Sequence, residues 1–200
     1  MHNFLKEVFN PILVSAYKLD NNVGIYVVND KNTSITGTVN IEFVMWKNGE
    51  TTVKQQVAFN VEGLEAKEVF GMDIDKFLGG KAKQTEGIIF VKAVGKDGTT
   101  VMSENWLLPV SPSSVTLVKA AINVEKINQV APNIVDVTIR SPAVSPFVYL
   151  QSSGVVGKFE DNGMVLRPGI SKIVRFIGRK SFDVKTFTDG LTVRSLADTY

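Results

Sequence analysis

Apolar and polar residues alternate along most of the chain, the pattern of strands with one buried face. The odd-numbered residues of 39–45 are apolar, and Asn48-Gly49 follows them. Asn-Gly is a strong hairpin signal because both central positions of such a turn need a positive φ. Apolar alternation resumes over residues 53–61. We therefore predict an antiparallel hairpin whose odd-numbered side chains face a core.

Turn residues interrupt the alternation roughly every 8–12 positions, a spacing typical of β-sandwiches. Residues 87–95 are apolar on both faces and predict a central strand. Further strands are predicted at 100–110, 115–124, 134–140, 147–150, 173–177 and 191–196, with turns at Arg167-Pro168-Gly169 and Asp189-Gly190. The fold class expected from this pattern is all-β.

A Pro- and Ser-rich stretch, residues 109–114, separates two halves of similar character and predicts a linker. Each half has about the strand number of an immunoglobulin-like sandwich. We therefore expect two tandem immunoglobulin-like β-sandwiches, over residues 1–110 and 111–200. Within the first half, His2–Asn10 carries one apolar face of helical spacing and predicts a two-turn helix that Pro11 ends. This helix either packs on the first sandwich or belongs to a domain upstream.

Composition excludes much catalytic chemistry. The 200 residues contain no Cys and one His, so thiolate nucleophiles, disulfides, multi-His metal sites and His-based triads are not expected. A net charge of +2 gives no reason to expect a nucleic-acid partner. Apolar runs are too short to cross a membrane, and the start does not resemble a secretory signal. The natural start could lie further upstream, so the compartment stays open.

Carboxylate groupings are the only candidates for acid–base or metal chemistry, and they fall in turns and polar stretches. These are Asp73 with Asp75, whose spacing predicts one strand face, Glu160 with Asp161, and Glu62 with Glu65 and Glu68. Glycoside hydrolysis needs one carboxyl held in an apolar pocket, and no grouping has that context. Asp73, Asp75 and Asp97 could hold Ca²⁺, but their spacing is not specific. We expect no catalytic residue, no metal and no cofactor.

Trp46 is the one candidate for ligand binding, as a weak substrate-binding residue. It falls on the polar, even-numbered side of its strand, next to Asn48-Gly49. An exposed indole there could stack on a sugar or form an inter-domain contact. The alternative is an indole half-covered by a neighbouring strand. Trp106, which shares a face with apolar neighbours, is interpreted as core.

Five motifs in order along the chain resemble the region after the catalytic barrel of β-mannosidases, in glycoside hydrolase family 2. Residues 157–169, GKFEDNGMVLRPG, are similar to the family's G-x-F-S-D-N-x-x-x-L-x-P-G, and residues 191–200, LTVRSLADTY, to its C-terminal L-x-V-x-S-L-x-D-T-Y. Three shorter stretches are also similar to motifs of the family. They are FNPILVSAY at residues 9–17, VVND at 27–30 and SEN at 103–105. The chain departs from the pattern at Glu160, Gly163 and Met164.

The resemblance implies that this chain corresponds to the last two sandwiches of a five-domain parent that hydrolyses terminal β-mannose with retention. It implies that residues 1–10 are the end of the barrel's last helix, that the upstream barrel is a partner, and that the catalytic glutamates lie outside this chain. The implied compartment is periplasmic or extracellular for a bacterial parent and lysosomal for an animal one. Relatives acting on β-glucosaminides, β-galactosides or β-glucuronides share the architecture, so the sugar stays open.

Three hypotheses for function follow from the sequence. The first is a non-catalytic accessory region that supports the barrel, inactive as an isolated chain. The second is a carbohydrate-binding module, and the third an adhesion or assembly module, since a fold does not determine a function. The Asp161-Asn162-Gly163 segment is interpreted as a structural corner in which side chains bond local backbone.

Overall fold

The computed structural model describes residues 9–115 and 117–199, and strands make up most of them. Residues 9–46 and 50–115 form one compact unit, and residues 117–199 form the other. The helix predicted over His2–Asn10, and the barrel remnant assigned to residues 1–10, lie outside the described residues except for Phe9 and Asn10. The exact domain boundary at 110 and 111 stays a prediction.

The first unit is a sandwich of two antiparallel sheets, ordered β1-β2-β5 and β4-β3-β6-β7. Its strands are β1 Ile12–Leu19, β2 Asn22–Asn29, β3 Ile35–Met45, β4 Thr51–Val61, β5 Glu65–Asp73, β6 Gly87–Gly95 and β7 Val101–Leu107. A short helix, α1 Ile74–Leu78, and a 3₁₀ turn, Gln84–Glu86, connect β5 to β6. The core lies between the sheets, where side chains of both inner faces interdigitate.

The predicted hairpin of β3 and β4 is confirmed, with Val39 opposite Val57. Ile41 and Phe43 are fully buried, so the odd-numbered side chains do face the core. The two-residue turn is wrong: residues 46–50 connect the strands, and of Asn48 and Gly49 only Gly49 has a positive φ. The predicted central strand is β6, which pairs with β3 on one side and β7 on the other.

The second unit is also an antiparallel sandwich, with sheets ordered β12-β10-β14 and β11-β13-β9-β8. Its elements are β8 Asn123–Ala131, β9 Ile134–Arg140, β10 Ser145–Ser152, β11 Gly157–Phe159, β12 Met164–Leu166, β13 Lys172–Gly178, α2 Val184–Asp189 and β14 Leu191–Arg194. Two 3₁₀ turns, Pro112–Ser114 and Leu196–Asp198, lie in the chain before and after these elements. The all-β class and the two immunoglobulin-like sandwiches are therefore confirmed.

The prediction failed at one edge strand of the second unit. The strand predicted at 115–124 is wrong for most of that range, because regular pairing begins only with β8 at Asn123. β8 is an edge strand with nearly every side chain exposed, so no alternation marks it. Asp189 and Gly190, predicted as a turn, end α2 and cap it.

Four phenylalanines fill the centre of the second unit around Phe176, which is 2% exposed. The Phe176 ring centroid lies 4.9 Å from that of Phe159, 4.8 Å from Phe187 and 5.7 Å from Phe182. Removing the Phe176 ring would leave a cavity that all three neighbours line.

We expect Phe176→Ala to lower the free energy of unfolding by about 3–5 kcal/mol, the usual cost of emptying a buried aromatic site. Chemical denaturation of the whole chain measures it. Tyr149→Ala is the control: this ring is 53% exposed, so the change should stay within about 0.5 kcal/mol. Equal losses in the two variants would show that the phenylalanine cluster is not the core.

Candidate functional site

Trp46 is buried, contrary to the exposed position that a sugar-stacking role required. Its side chain is 3% exposed, and its backbone N–H donates to the Glu86 carbonyl at 2.9 Å. Its indole Nε1 has no hydrogen-bond partner among the described residues. Alternation along the preceding strand did not predict this burial, and nearby Val44 and Ile88 are buried as well. A substrate-binding role for Trp46 stays untested, and its burial gives no support.

Asp73 and Asp75 come together, but as parts of a helix cap. Asp73 ends β5, and its Oδ1 accepts from the backbone N–H groups of Asp75 and Lys76 at 3.1 and 3.0 Å. The amide of Asn21 donates to both carboxylates, at 2.8 Å to Asp73 and 3.0 Å to Asp75. The backbone N–H of Lys76 is the main cause that lowers the pKa of Asp73. The expectation that both lie on one strand face is wrong, because Asp75 is in α1.

Three further carboxylates are also held by nearby partners. Asp97 accepts from the hydroxyl and the backbone N–H of Thr100 in the β6–β7 turn, and these bonds lower its pKa well below the usual range. Asp161 pairs with Lys172 at 2.6 Å. Glu65 accepts from the backbone N–H of Glu62 at 2.9 Å. Each of these carboxylates has a local structural partner.

Within 9–115 and 117–199, no group of three or more His, Cys, Asp or Glu side chains is placed to hold a metal ion. Over the same ranges no helix has the length and apolarity to cross a membrane.

The polar residues of the SEN motif bond to a strand of the opposite sheet. Ser103, on β7, accepts at its Oγ from the backbone N–H of Val14 at 3.0 Å. Asn105, two residues on, donates from Nδ2 to the Val14 carbonyl at 3.1 Å. Both backbone groups of a fully buried residue on β1 are thus satisfied by side chains. The motif closes one side of the sandwich between its two sheets.

Asn162 plays the equivalent part in the second unit. Its Oδ1 accepts from the backbone N–H of Leu150 at 2.7 Å, and its Nδ2 donates to the Leu150 carbonyl at 2.9 Å. In the β10–β12 register, Val148 lies opposite Met164, so position 162 falls opposite Leu150. The side chain replaces a missing backbone partner in the ladder. The Asn162 bonds reach across to β10, so the expectation that side chains of this corner bond local backbone is wrong for Asn162.

Two further motif residues also have structural roles. Asn29, from VVND, is fully buried and donates to the carbonyls of Thr33 and Glu62, each at 2.9 Å. Near the end of the described chain, Asp198 accepts from the backbone N–H of Ser195 at 2.7 Å and forms an ion pair with Lys119 at 3.5 Å. The backbone N–H of Ser195 is the main cause that lowers the pKa of Asp198.

Sequence reasoning missed an exposed aromatic side chain, Tyr17, on the outer face of the β1-β2-β5 sheet. Its ring is 37% exposed, and its hydroxyl donates to Glu68 Oε1 at 3.0 Å. One sequence feature could have indicated this surface: Gly24 and Gly71 each lie inside a strand. Glycine inside a strand often marks a place where another group approaches the backbone closely.

Family models match both units in order. A model described as a mannosidase Ig/CBM-like domain matches residues 21–112, and a mannosidase Ig-fold domain model matches residues 117–199. The chain belongs to the Ig-like domain families of the β-mannosidases. The resemblance that the five motifs carry is thereby confirmed.

Curated relatives align with the whole chain. Beta-mannosidase A of Aspergillus terreus is 26% identical over 213 residues, which cover 99% of this chain and 22% of that protein. Beta-mannosidase A of Aspergillus niger is 24% identical over 210 residues with the same coverage. The aligned part is the C-terminal region of these proteins. This chain therefore spans about a fifth of the length of the relatives it matches.

Solved structures share the fold. The β-D-mannosidase of Dictyoglomus thermophilum superimposes with a TM-score of 0.75 at 15% identity, over 98% of this chain and 23% of that one. The exo-chitosanase CsxA of Amycolatopsis orientalis gives 0.62 at 14%, over 97% and 26%. The tandem of sandwiches thus occurs in glycosidases whose names give different substrates.

We expect Asn162→Ala to cost about 1–3 kcal/mol of unfolding free energy, because it leaves the N–H and carbonyl of Leu150 without partners. Asn162→Asp should also destabilise, since a carboxylate cannot donate to the Leu150 carbonyl. Urea denaturation measures both. Asn128→Ala, on the exposed edge strand β8, is the matched control and should stay within about 0.5 kcal/mol. A loss as small as the control's would contradict the role given to Asn162.

Acid should weaken the second unit partly through Asp136. Arg175 donates to this carboxylate from Nε at 2.7 Å and from Nη2 at 2.9 Å, and these bonds are the main cause that lowers its pKa. Because the folded pKa lies below the unfolded value of about 3.9, the stabilisation is complete above that pH and is lost as pH falls through the folded pKa.

Denaturation at a series of pH values should therefore show that the free energy of unfolding falls less on acidification for Asp136→Asn than for the unchanged chain. Arg175→Gln should flatten the curve in the same way, and the double variant should add nothing further. Parallel curves for all four proteins would refute the assignment.

Proposed function

We propose that the chain acts as the accessory region of a longer glycosidase of β-mannosidase type, covalently joined to a catalytic domain that it supports. The observation that carries this proposal is the match of both domain models in order, within relatives about five times as long. The upstream catalytic barrel is the proposed partner, and β-linked mannose at a chain end is the proposed substrate of the parent.

The use of the motif side chains supports a structural role. Ser103, Asn105 and Asn162 all bond to strand backbone, and Asp198 caps a turn. A residue engaged in this way is not free to bind or transform a sugar. Residues that the family resemblance singles out thus contribute to the rigidity of the sandwiches, which a supporting domain needs.

The isolated chain should not hydrolyse an aryl β-mannoside. Release of the aryl alcohol, followed by absorbance, measures this, and turnover that persists through purification would contradict the accessory role.

A second experiment tests the supporting role directly. It uses a chimera of the A. terreus enzyme in which this chain replaces the aligned segment.

We expect the chimera to hydrolyse the same substrate, and Asn162→Ala within it to lower the temperature of half-inactivation while KM is unchanged. The control is Asn128→Ala in the same chimera, which should alter neither value. A raised KM for Asn162→Ala at low temperature would indicate a direct part in sugar binding and would count against a purely supporting role.

A further inference from the structure

Tyr17 and Glu68 each lie over a glycine, Gly24 and Gly71, on the outer face of the β1-β2-β5 sheet. The registers place Tyr17 opposite Gly24, and Gly24 opposite Gly71. A Cβ atom at residue 24 would lie 2.3 Å from Cε1 and Cζ of Tyr17, so only glycine leaves room for the ring. A Cβ at residue 71 would lie 3.0 Å from Oε1 of Glu68. The ring and the carboxylate therefore rest on the sheet side by side.

The ring is held in place at its polar end and along one side. Its hydroxyl donates to Glu68 Oε1 at 3.0 Å, a bond that also raises the pKa of Tyr17. The ring of Tyr26 lies beside it, with centroids 5.7 Å apart and planes at 44°. An aromatic ring so fixed loses little conformational entropy when a ligand covers it.

The exposed part of this surface combines an aromatic ring with hydrogen-bond acceptors at its edge. Glu68 Oε2 has no hydrogen-bond partner among the described residues, and the Tyr17 oxygen keeps acceptor capacity. Leu19 lies two residues along β1 on the same face and is 66% exposed. A ligand that fits must offer C–H groups to the ring and hydroxyl donors to the carboxylate.

A β-linked hexopyranose has these two features. Its axial hydrogens at C1, C3 and C5 form one apolar face of the ring, and its hydroxyl groups project around the edge. The C–H groups meet the negative face of an aromatic ring favourably, and hydroxyl donors to an ionised carboxylate make stronger bonds than neutral pairs. We propose that Tyr17 and Glu68 form a binding site for a β-linked hexopyranose unit.

Other ligand classes fit the surface less well. The carboxylate repels phosphate and carboxylate ligands. A protein partner needs about 800 Å² on each side of a stable interface, whereas a whole aromatic side chain offers about 150–250 Å². The site contains no residue on which the proposed accessory role depends. The sugar-binding proposal and the accessory-role proposal can therefore be refuted independently of each other.

The test is a ¹H–¹⁵N NMR titration of the whole chain with methyl β-D-mannopyranoside and with a β-1,4-manno-oligosaccharide. Sugar up to about 50 mM detects dissociation constants in the millimolar range. We expect saturable shifts confined to the amides of Tyr17, Gly24, Glu68 and Gly71. Tyr17→Ala should weaken binding at least about tenfold, and Glu68→Gln by about two- to tenfold.

Matched controls separate binding from folding. Tyr17→Phe keeps the ring and should retain more affinity than Tyr17→Ala, while Tyr149→Ala removes an exposed tyrosine of the other unit and should leave binding unchanged. Each variant must show the unchanged spectrum away from the site. The proposal is overturned by no shifts at the highest sugar concentration, by equal affinity in Tyr17→Ala, or by shifts at these amides on raising the protein concentration alone, which would indicate self-association.

Discussion

A buried backbone N–H or carbonyl must have a partner, and this requirement explains the polar motif residues in both sandwiches. Val14 lies on an edge strand, and β12 begins short of Leu150, so the backbone groups of these two buried residues face no neighbouring strand of their own sheet. In this chain side chains bond those groups: Ser103 and Asn105 at Val14, and Asn162 at Leu150. The apolar cores could not close around these positions if the groups stayed unbonded.

These bonds also explain why several conspicuous polar side chains are not available to a ligand. The motif residues Ser103, Asn105 and Asn162 are engaged with backbone, while Asp73 caps a helix and Asp198 a turn. Tyr17 and Glu68 form a different kind of surface, where Gly24 lets an aromatic ring lie close to the sheet and Gly71 lies under the carboxylate. One region of the molecule is thus specialised for rigidity and another offers an exposed ring.

The parts of the fold that the sequence predicted are those where burial produces a clear pattern. β9 begins and ends where predicted, at Ile134 and Arg140, because its alternate residues face the core. β8 was missed, since an edge strand with both faces exposed has no pattern to read. The burial of Trp46 was missed, because alternation along one strand does not tell whether its polar side is covered by another element. The partners of Asn162 lie twelve residues away across a register, which local spacing does not reveal.

The bonds between β7 and β1 impose an order of events on the first unit as the chain is made. The backbone groups of Val14 cannot be bonded until Ser103 and Asn105, which follow it by 89 and 91 residues, have been synthesised. β1 can pair with β2 early, since only Asp20 and Asn21 separate them, yet its other edge stays open until the last strand of the unit has left the ribosome. During that interval the emerging polypeptide exposes an unsatisfied strand edge, the kind of edge that pairs with other chains.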